Sequence, residues 1–374
     1  MKVVILGAGA SKGSSLLNPP PIMNDFVKVG LQMKIEGQYE KLWALLGSLG
    51  YPFENILKGE PNLEELYTLL DIISSGLWYS RADQLNDDLE NNFHNYLPNT
   101  IFKLFILEVL MQSSIEAIKT PCKYHQALLK SLKKGDCIIS FNYDLIIDGA
   151  LKSNCKWREY NGYGFFCQGD YKQGEEESFF MKSDIELLKP HGSINWTVKK
   201  ERIKDNNFEH IELLDLHNEI SSEYSHRKII EVKPLKDFIK DNKIAIDLFS
   251  VKMSEKLVEI YSTITPIRKN DTYIVPPSVM KFGNGLQPEQ IYITWSKIRE
   301  YLLRAEKVIS IGFSFNPADV YFINLMKIAL KKNKQLTIEL VNPDNEACSK
   351  VKKLFFNANV KKIAENIEEY CGYL

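Results

Sequence analysis

The chain has 374 residues, enough to bury a large core as one enlarged domain or as a core domain with an insertion. It carries 47 Lys and Arg against 48 Asp and Glu, and this even balance argues against direct nucleic-acid binding by bulk electrostatics. The first strand is too short for a signal peptide core and no apolar run approaches membrane-spanning length, so we expect a cytoplasmic protein.

The first predicted element is a buried strand, Val3 to Leu6, that runs into the glycine turn Gly7-Ala8-Gly9-Ala10-Ser11. Glycines at these positions let a chain turn sharply and approach a pyrophosphate closely. The third glycine of a dinucleotide fingerprint is missing, because Lys12 occupies its place and Gly13 comes one position late. The motif therefore predicts either a phosphate-binding turn or an ordinary turn from strand to loop.

A helical block separates this strand from the next one. Residues 14–21 predict a loop, and regular structure resumes near Asp25-Phe26. Asn62 and Glu65 form a capping box before a helix, and residues 101–118 have apolar side chains on more than one helical face. This block, around 36–120, is too long for one crossover and predicts a helical insertion. The two-sided helix is buried either inside one chain or against a neighbouring subunit of a homo-oligomer.

The middle of the chain places polar residues directly after strands. A strand over residues 136–141 is followed by Asn142-Tyr143-Asp144 and a helix from Leu145, which Asp144 can cap. A Leu-Leu strand precedes Pro190-His191-Gly192-Ser193. Residues from about 195 to 270 are charged and weakly periodic, and they predict no firm element.

The last hundred residues alternate between strands and helices. A strand ends at residues 273–277, a helix covers 291–305, and further strands cover 308–312 and 336–341. Asn316-Pro-Ala-Asp319 has the asparagine, proline and acidic residue of a helix start. The alternation predicts an α/β fold: a Rossmann-like parallel sheet with helices on both faces. Ligands bind at the carboxyl edge of such sheets. Four polar segments follow predicted strands there: Gly7 to Ser11, Asn142 to Asp144, Gly312 to Ser314, and Asn342.

These polar segments, in this order, resemble the NAD-binding core of the sirtuin (silent information regulator) family. The matching residues are Gly7-Ala-Gly-Ala-Ser11, Ser140-Phe-Asn-Tyr-Asp144, Pro190-His-Gly-Ser193, Gly312-Phe-Ser314 and Val341-Asn342, with a fainter match at residues 277–283. The resemblance implies one sirtuin-like domain over residues 1–374. It also implies NAD contacts at Gly7, Ala8, Gly9, Ala10, Ser11, Asp25, Phe26, Gly312, Ser314 and Asn342. Ser314 and Asn342 are equally compatible with turn formation.

The departures from the family distinguish between its branches. Protein-deacylating sirtuins carry two C-x-x-C pairs after the His-Gly motif, whereas residues 194–275 of this chain contain no cysteine, so we expect no zinc ribbon and no metal. The chain is therefore more similar to the bacterial sirtuin-like NAD hydrolases of anti-phage defence. With no sensing domain expected, it resembles the short form that pairs with a HerA-type ring ATPase, which implies such a partner.

The resemblance implies a reaction that these side chains can support. Cleavage of the nicotinamide–ribose bond develops an oxocarbenium-like ribose and gives nicotinamide and ADP-ribose. Asn142 can hold a ribose hydroxyl or a water, and His191 can act as general base. Asp144 orients one of these groups or only caps its helix. Two alternatives stay open: an NAD-dependent protein deacylase, and a non-catalytic NAD or ADP-ribose sensor in a larger complex.

Overall fold

The computed structural model describes residues 1–32, 39, 42–43, 46–47, 49–74, 98–154, 157–165, 183–203, 206–213, 272–275 and 288–374. Its strands are β1 Lys2–Leu6, β2 Cys137–Ser140, β3 Glu186–Leu188, β4 Gly192–Ile203, β5 Asn206–Leu213, β6 Thr272–Ile274, β7 Lys307–Ile311, β8 Thr337–Val341 and β9 Asn359–Ala364. Its helices are α1 Ala8–Lys12, α2 Phe26–Gln32, α3 Phe53–Lys58, α4 Leu63–Ser74, α5 Pro98–Lys119, α6 Lys123–Lys130, α7 Ile146–Lys152, α8 Glu159–Gly162, α9 Glu289–Arg304, α10 Val320–Lys332, α11 Asn345–Leu354 and α12 Ile367–Gly372.

Six strands form a parallel sheet in the order β3-β2-β1-β7-β8-β9. Its central strand is apolar throughout, with Val3, Val4 and Ile5 fully buried, as expected for a parallel strand covered on both faces. The chain moves outward from β1 to β3 and then returns to the other side of β1 as β7. The strand order therefore reverses between β1 and β7, which confirms the predicted α/β, Rossmann-like fold and fixes its switch point.

The described residues between β1 and β2 form the helices α1 to α6, joined by turns and loops, and α2 to α5 contribute most of a second apolar core. The predicted capping box is present: Asn62 Oδ1 accepts from the Glu64 and Glu65 N–H groups, and Glu65 Oε2 accepts from the Asn62 N–H. In α5, every residue from 101 to 118 is buried or half-buried within one chain. Burial inside the chain therefore accounts for its two-sided apolar pattern.

A second sheet has three antiparallel strands in the order β5-β4-β6. The β4–β5 hairpin pairs Trp196 with Leu213 and Ile203 with Asn206, over residues where the sequence predicted no element. The strand predicted to end at residues 273–277 is β6, which pairs with β4 and therefore belongs to the second sheet and not to the parallel sheet. The β4–β5 hairpin is local but charged and weakly periodic, whereas β6 pairs with a partner distant in sequence, which local periodicity cannot reveal. Residues 277–283, the fainter part of the resemblance, lie outside the described residues.

Across the described ranges, no helix combines the length and the apolar character needed to cross a bilayer.

Candidate active site

The turns that follow β1, β2 and β7 meet at the carboxyl edge of the parallel sheet. The Phe141 N–H donates to Leu6 O over 2.9 Å, and the Gly7 N–H donates to Ile311 O over 3.0 Å, so hydrogen bonding between neighbouring strands continues into the turns. The Phe141 and Phe313 rings stack with their centroids 4.4 Å apart. The predicted segments after β1, β2 and β7 thus meet at the switch point of the sheet.

The glycine turns after β1 and β7 pack directly on each other. A Cβ on Gly7 would lie 2.5 Å from Gly312 O, and one on Gly312, where φ is +61°, would lie 2.3 Å from the Ala10 nitrogen. The Gly9 N–H donates to Gly312 O over 3.0 Å. These glycines therefore have a packing role that the sequence did not reveal, and the Gly7 and Gly9 N–H groups bind protein carbonyls here.

The loop after β7 continues in a strained conformation. Phe315 has φ of +51°, a value that a bulky side chain rarely adopts, and it is fully buried. Its ring contacts Phe313 at 4.9 Å and Phe355 at 5.4 Å between centroids. Such a conformation costs about 1–3 kcal/mol and persists only where the surrounding packing fixes it. The aromatic packing thus holds the loop that leads to Asp319.

Asn142 is oriented by the turn after β1. Its Nδ2 group donates to Gly7 O over 2.8 Å and to Ser11 Oγ over 2.9 Å, and the residue is 9% exposed. Because both amide hydrogens bind protein oxygens, Oδ1 is the amide atom that can accept a hydrogen bond from a ribose hydroxyl or a water. The structure therefore brings the predicted Asn142 and Ser11 together.

Asp144 lies in the same network and also begins the following helix. Its Oδ1 accepts from the N–H of Ile146, the first residue of α7, over 3.1 Å. Burial raises the pKa of the Asp144 carboxyl, against the lowering effects of the Lys189 charge and of hydrogen bonds from Ile146 and Ser11. Asp144 thus accepts from the first N–H of α7, but the N-cap residue is Leu145, one position later than the sequence predicted, and α7 has no side-chain cap bond. Asp144 also binds the Ser11 hydroxyl beside Asn142.

His191 is buried beside a carboxylate. Its Nε2 lies 3.3 Å from Asp319 Oδ1, and both side chains are almost fully enclosed. The Phe141 ring packs edge-on against the imidazole with centroids 5.0 Å apart. The sequence identified His191 as a candidate base, but it assigned Asp319 only to a helix start. The position of Asp319 in the loop after β7 was the one sign of a site role, and only the fold brings it beside His191.

The buried ammonium group of Lys189 anchors the loop that carries His191. Lys189 is fully buried, and its Nζ donates to Asp144 O over 2.7 Å, to Asp148 Oδ2 over 3.0 Å and to Ser193 Oγ over 2.7 Å. The Tyr163 hydroxyl donates to the other Asp148 oxygen over 2.5 Å. This network joins the turns after β2 and β3. Sequence reasoning missed it because a lysine beside a motif gives no sign of burial.

The remaining predicted residues have local roles. Asp25 pairs with Lys12 over 2.9 Å and accepts from the Ile22 N–H just before α2. Phe26 packs in the helical core against Phe105. Ser314 is exposed, and Asn342 Oδ1 accepts from the Asp344 N–H over 2.9 Å in a turn before α11. The structure therefore supports the turn interpretation of Asn342.

Within the described part of the chain, no group of three or more His, Cys, Asp or Glu side chains is arranged to hold a metal ion. A scan against protein-family models finds no match to this chain, and a search of curated proteins finds none either.

Proposed function

We propose that this chain is an NAD hydrolase that cleaves the nicotinamide–ribose bond and releases nicotinamide and ADP-ribose. One observation carries the proposal: a buried His191–Asp319 pair and an oriented Asn142 amide lie at the carboxyl edge of a Rossmann-like sheet, around its switch point. In sheets of this topology, dinucleotides bind in the crevice at the switch point. The sirtuin-like motifs described above point to the same ligand.

His191 is the general base of the proposed reaction. A carboxylate that accepts from Nε2–H favours the tautomer whose basic nitrogen is Nδ1 and stabilises the imidazolium that forms when the ring takes a proton. The proton comes from the attacking water or from a ribose hydroxyl. General base catalysis of this kind contributes typically about 10²- to 10⁴-fold in rate.

Asn142 positions the reacting ribose or the attacking water. Its amide is fixed by Gly7 O and Ser11 Oγ, so Oδ1 is preorganised and loses little freedom when substrate binds. Phe141 and Phe313 form an apolar wall beside the imidazole. A wall of this kind limits the entry of stray water to the reacting ribose.

The biological role in this proposal is NAD depletion in anti-phage defence, by a cytoplasmic homo-oligomer joined to a HerA-type ring ATPase. The sirtuin-like motifs support this part, whereas residues 101–118, buried or half-buried inside one chain, give the homo-oligomer no separate support. Light scattering of the purified chain tests for the homo-oligomer. Co-expression with a ring ATPase tests for the complex.

Nicotinamide release from NAD, measured with and without the ATPase, tests the proposed activity. Wild-type protein should release nicotinamide and ADP-ribose in equal amounts, and the folded His191→Ala variant should not. Binding of NAD or ADP-ribose without nicotinamide release under either condition would replace the proposal with the sensor function. Nicotinamide release that requires an acyl-lysine peptide would replace it with the deacylase function.

A further inference from the structure

Cys122 is the N-cap residue of α6 and is not part of the candidate active site, and polar groups of Ser15 and His125 surround its sulfur. His125 Nδ1 lies 3.1 Å from Sγ, and the Ser15 N–H and hydroxyl donate to Sγ over 3.4 Å and 3.5 Å. Cys122 and His125 are 0% and 1% exposed. A neutral thiol is a weak acceptor, so two Ser15 donors, a helix N-terminus and an imidazole that donates when Nδ1 is protonated form a site suited to a thiolate.

We propose that Cys122 is a reactive thiolate that hydroperoxides oxidise, and that its oxidation releases the loop of residues 13–22. The thiolate attacks the terminal oxygen of the hydroperoxide, so that an S–O bond forms and the O–O bond breaks. The leaving alkoxide takes the proton of the His125 imidazolium. The sulfur becomes a sulfenic acid, oxidised by two electrons, and the hydroperoxide is reduced to an alcohol, or to water in the case of hydrogen peroxide.

Electrostatics favour the thiolate at Cys122 over other thiols of the chain. Burial by itself raises the pKa of the Cys122 thiol, but the hydrogen bond and positive charge of His125, with the Ser15 hydroxyl, outweigh this effect and lower the pKa to about 6. Cys371 is more exposed and donates to Tyr124 O over 3.2 Å, and burial raises its pKa to about 11. Cys122 therefore has the greater thiolate character, whereas Cys371 is the more exposed of the two.

The surroundings of Cys122 connect it to the loop. Leu16 of the loop packs in one small apolar cluster with Cys122, Ala117 and Ile146. Because the sulfur is fully enclosed, an added oxygen atom must displace Ser15 or a neighbour in this cluster. The Ile146 N–H in turn donates to Asp144 Oδ1, at the edge of the candidate active site.

The rate of alkylation tests the reactivity. The native protein is treated with iodoacetamide between pH 5 and 9, and peptide-resolved mass spectrometry follows each cysteine. We expect Cys122 to react faster than Cys371 at pH 7, with a rate that levels off above about pH 7. In the His125→Asn variant the effect of burial remains, so the pKa of Cys122 should rise to at least about 8.5, which lowers the thiolate fraction at pH 7, and the rate with it, by at least roughly 30-fold. A Cys122 rate below that of Cys371 in native protein overturns the proposal.

Thiolate absorbance near 240 nm provides a second measurement that needs no reagent access. The difference between wild type and a folded Cys122→Ser variant should show a thiolate that titrates near pH 6. A difference that titrates above pH 8 overturns the proposal, even if His125→Asn fails to fold.

Hydrogen exchange tests the release of the loop. After treatment with hydrogen peroxide, dimedone trapping should place the sulfenic acid on Cys122. The N–H groups of Ser15, Leu17 and Asn18, which bind Cys122 and Glu116, should then exchange at least about tenfold faster. Sulfenic acid without faster exchange overturns the loop release. None of these readouts requires NAD turnover, so they stand or fall independently of the proposed hydrolase activity.

Discussion

Replacing Lys189 with methionine tests whether the buried ammonium holds the His191 loop in place. Methionine fills most of the lysine volume but leaves the Asp148 carboxylate without its cation. It also removes the donor to Asp144 O and Ser193 Oγ. The Tyr163 hydroxyl still donates to Asp148, so one hydrogen bond to the carboxylate remains. The variant should therefore unfold more easily, and His191 should be held less firmly in position.

The burial of this pair sets the size of the effect. Removing one partner of a buried, hydrogen-bonded ion pair costs about 3–5 kcal/mol, because the other charge stays buried and uncompensated. An unfolding entropy of about 2.1 cal/mol/K per residue over 374 residues converts this loss into a fall in Tm of roughly 4–6 °C. Nicotinamide release should fall as well, since Lys189 and Ser193 flank His191.

Thermal unfolding followed by circular dichroism measures the effect, with Lys152→Met as the matched control. Lys152 is 58% exposed and pairs with Glu159 over 3.1 Å, so its loss should cost about 0–1 kcal/mol. Adding Asp148→Asn to Lys189→Met removes the orphaned charge and should restore part of the lost stability. A Lys189→Met variant no less stable than Lys152→Met would show that the buried ammonium does not stabilise the fold.

His191→Ala should lower nicotinamide release about 10²- to 10⁴-fold with an unchanged circular dichroism spectrum, because it removes the base without altering the sheet. Asp319→Asn should lower kcat and change the pH profile while NAD binding is kept; an unchanged profile would exclude the pair from the mechanism. Asn142→Ala should lower kcat far more than it weakens binding, and a loss through KM alone would make Asn142 a ground-state contact. Gly135→Ala, a control with open space around it, should cost roughly 1–2 kcal/mol of left-handed backbone strain. Gly312→Ala should cost more, because its added Cβ also meets the Ala10 nitrogen. Equal losses in Tm would contradict the packing role of Gly312.

The sequence predicted the elements with strong local signals. The capping box at Asn62 and the apolar run of β1 were both identified correctly, because cap hydrogen bonds and strand burial follow from neighbouring residues. The second sheet was not predicted, because the β4–β5 hairpin is charged and weakly periodic and β6 pairs with β4 across about eighty positions. Asp319 was missed as a site residue for the same reason, since its partner lies on a distant loop.

The α/β class and the polar segments that follow strands can be predicted from the sequence alone, because strand burial and turn chemistry are local properties. The contacts of those segments follow only from the fold. The fold places Asp319 beside His191 and pairs the buried Lys189 with Asp148. It also packs the glycines that follow β1 and β7 against each other. These contacts depend on how the strands are ordered in the sheet, and that order is set by long-range packing that local patterns do not encode.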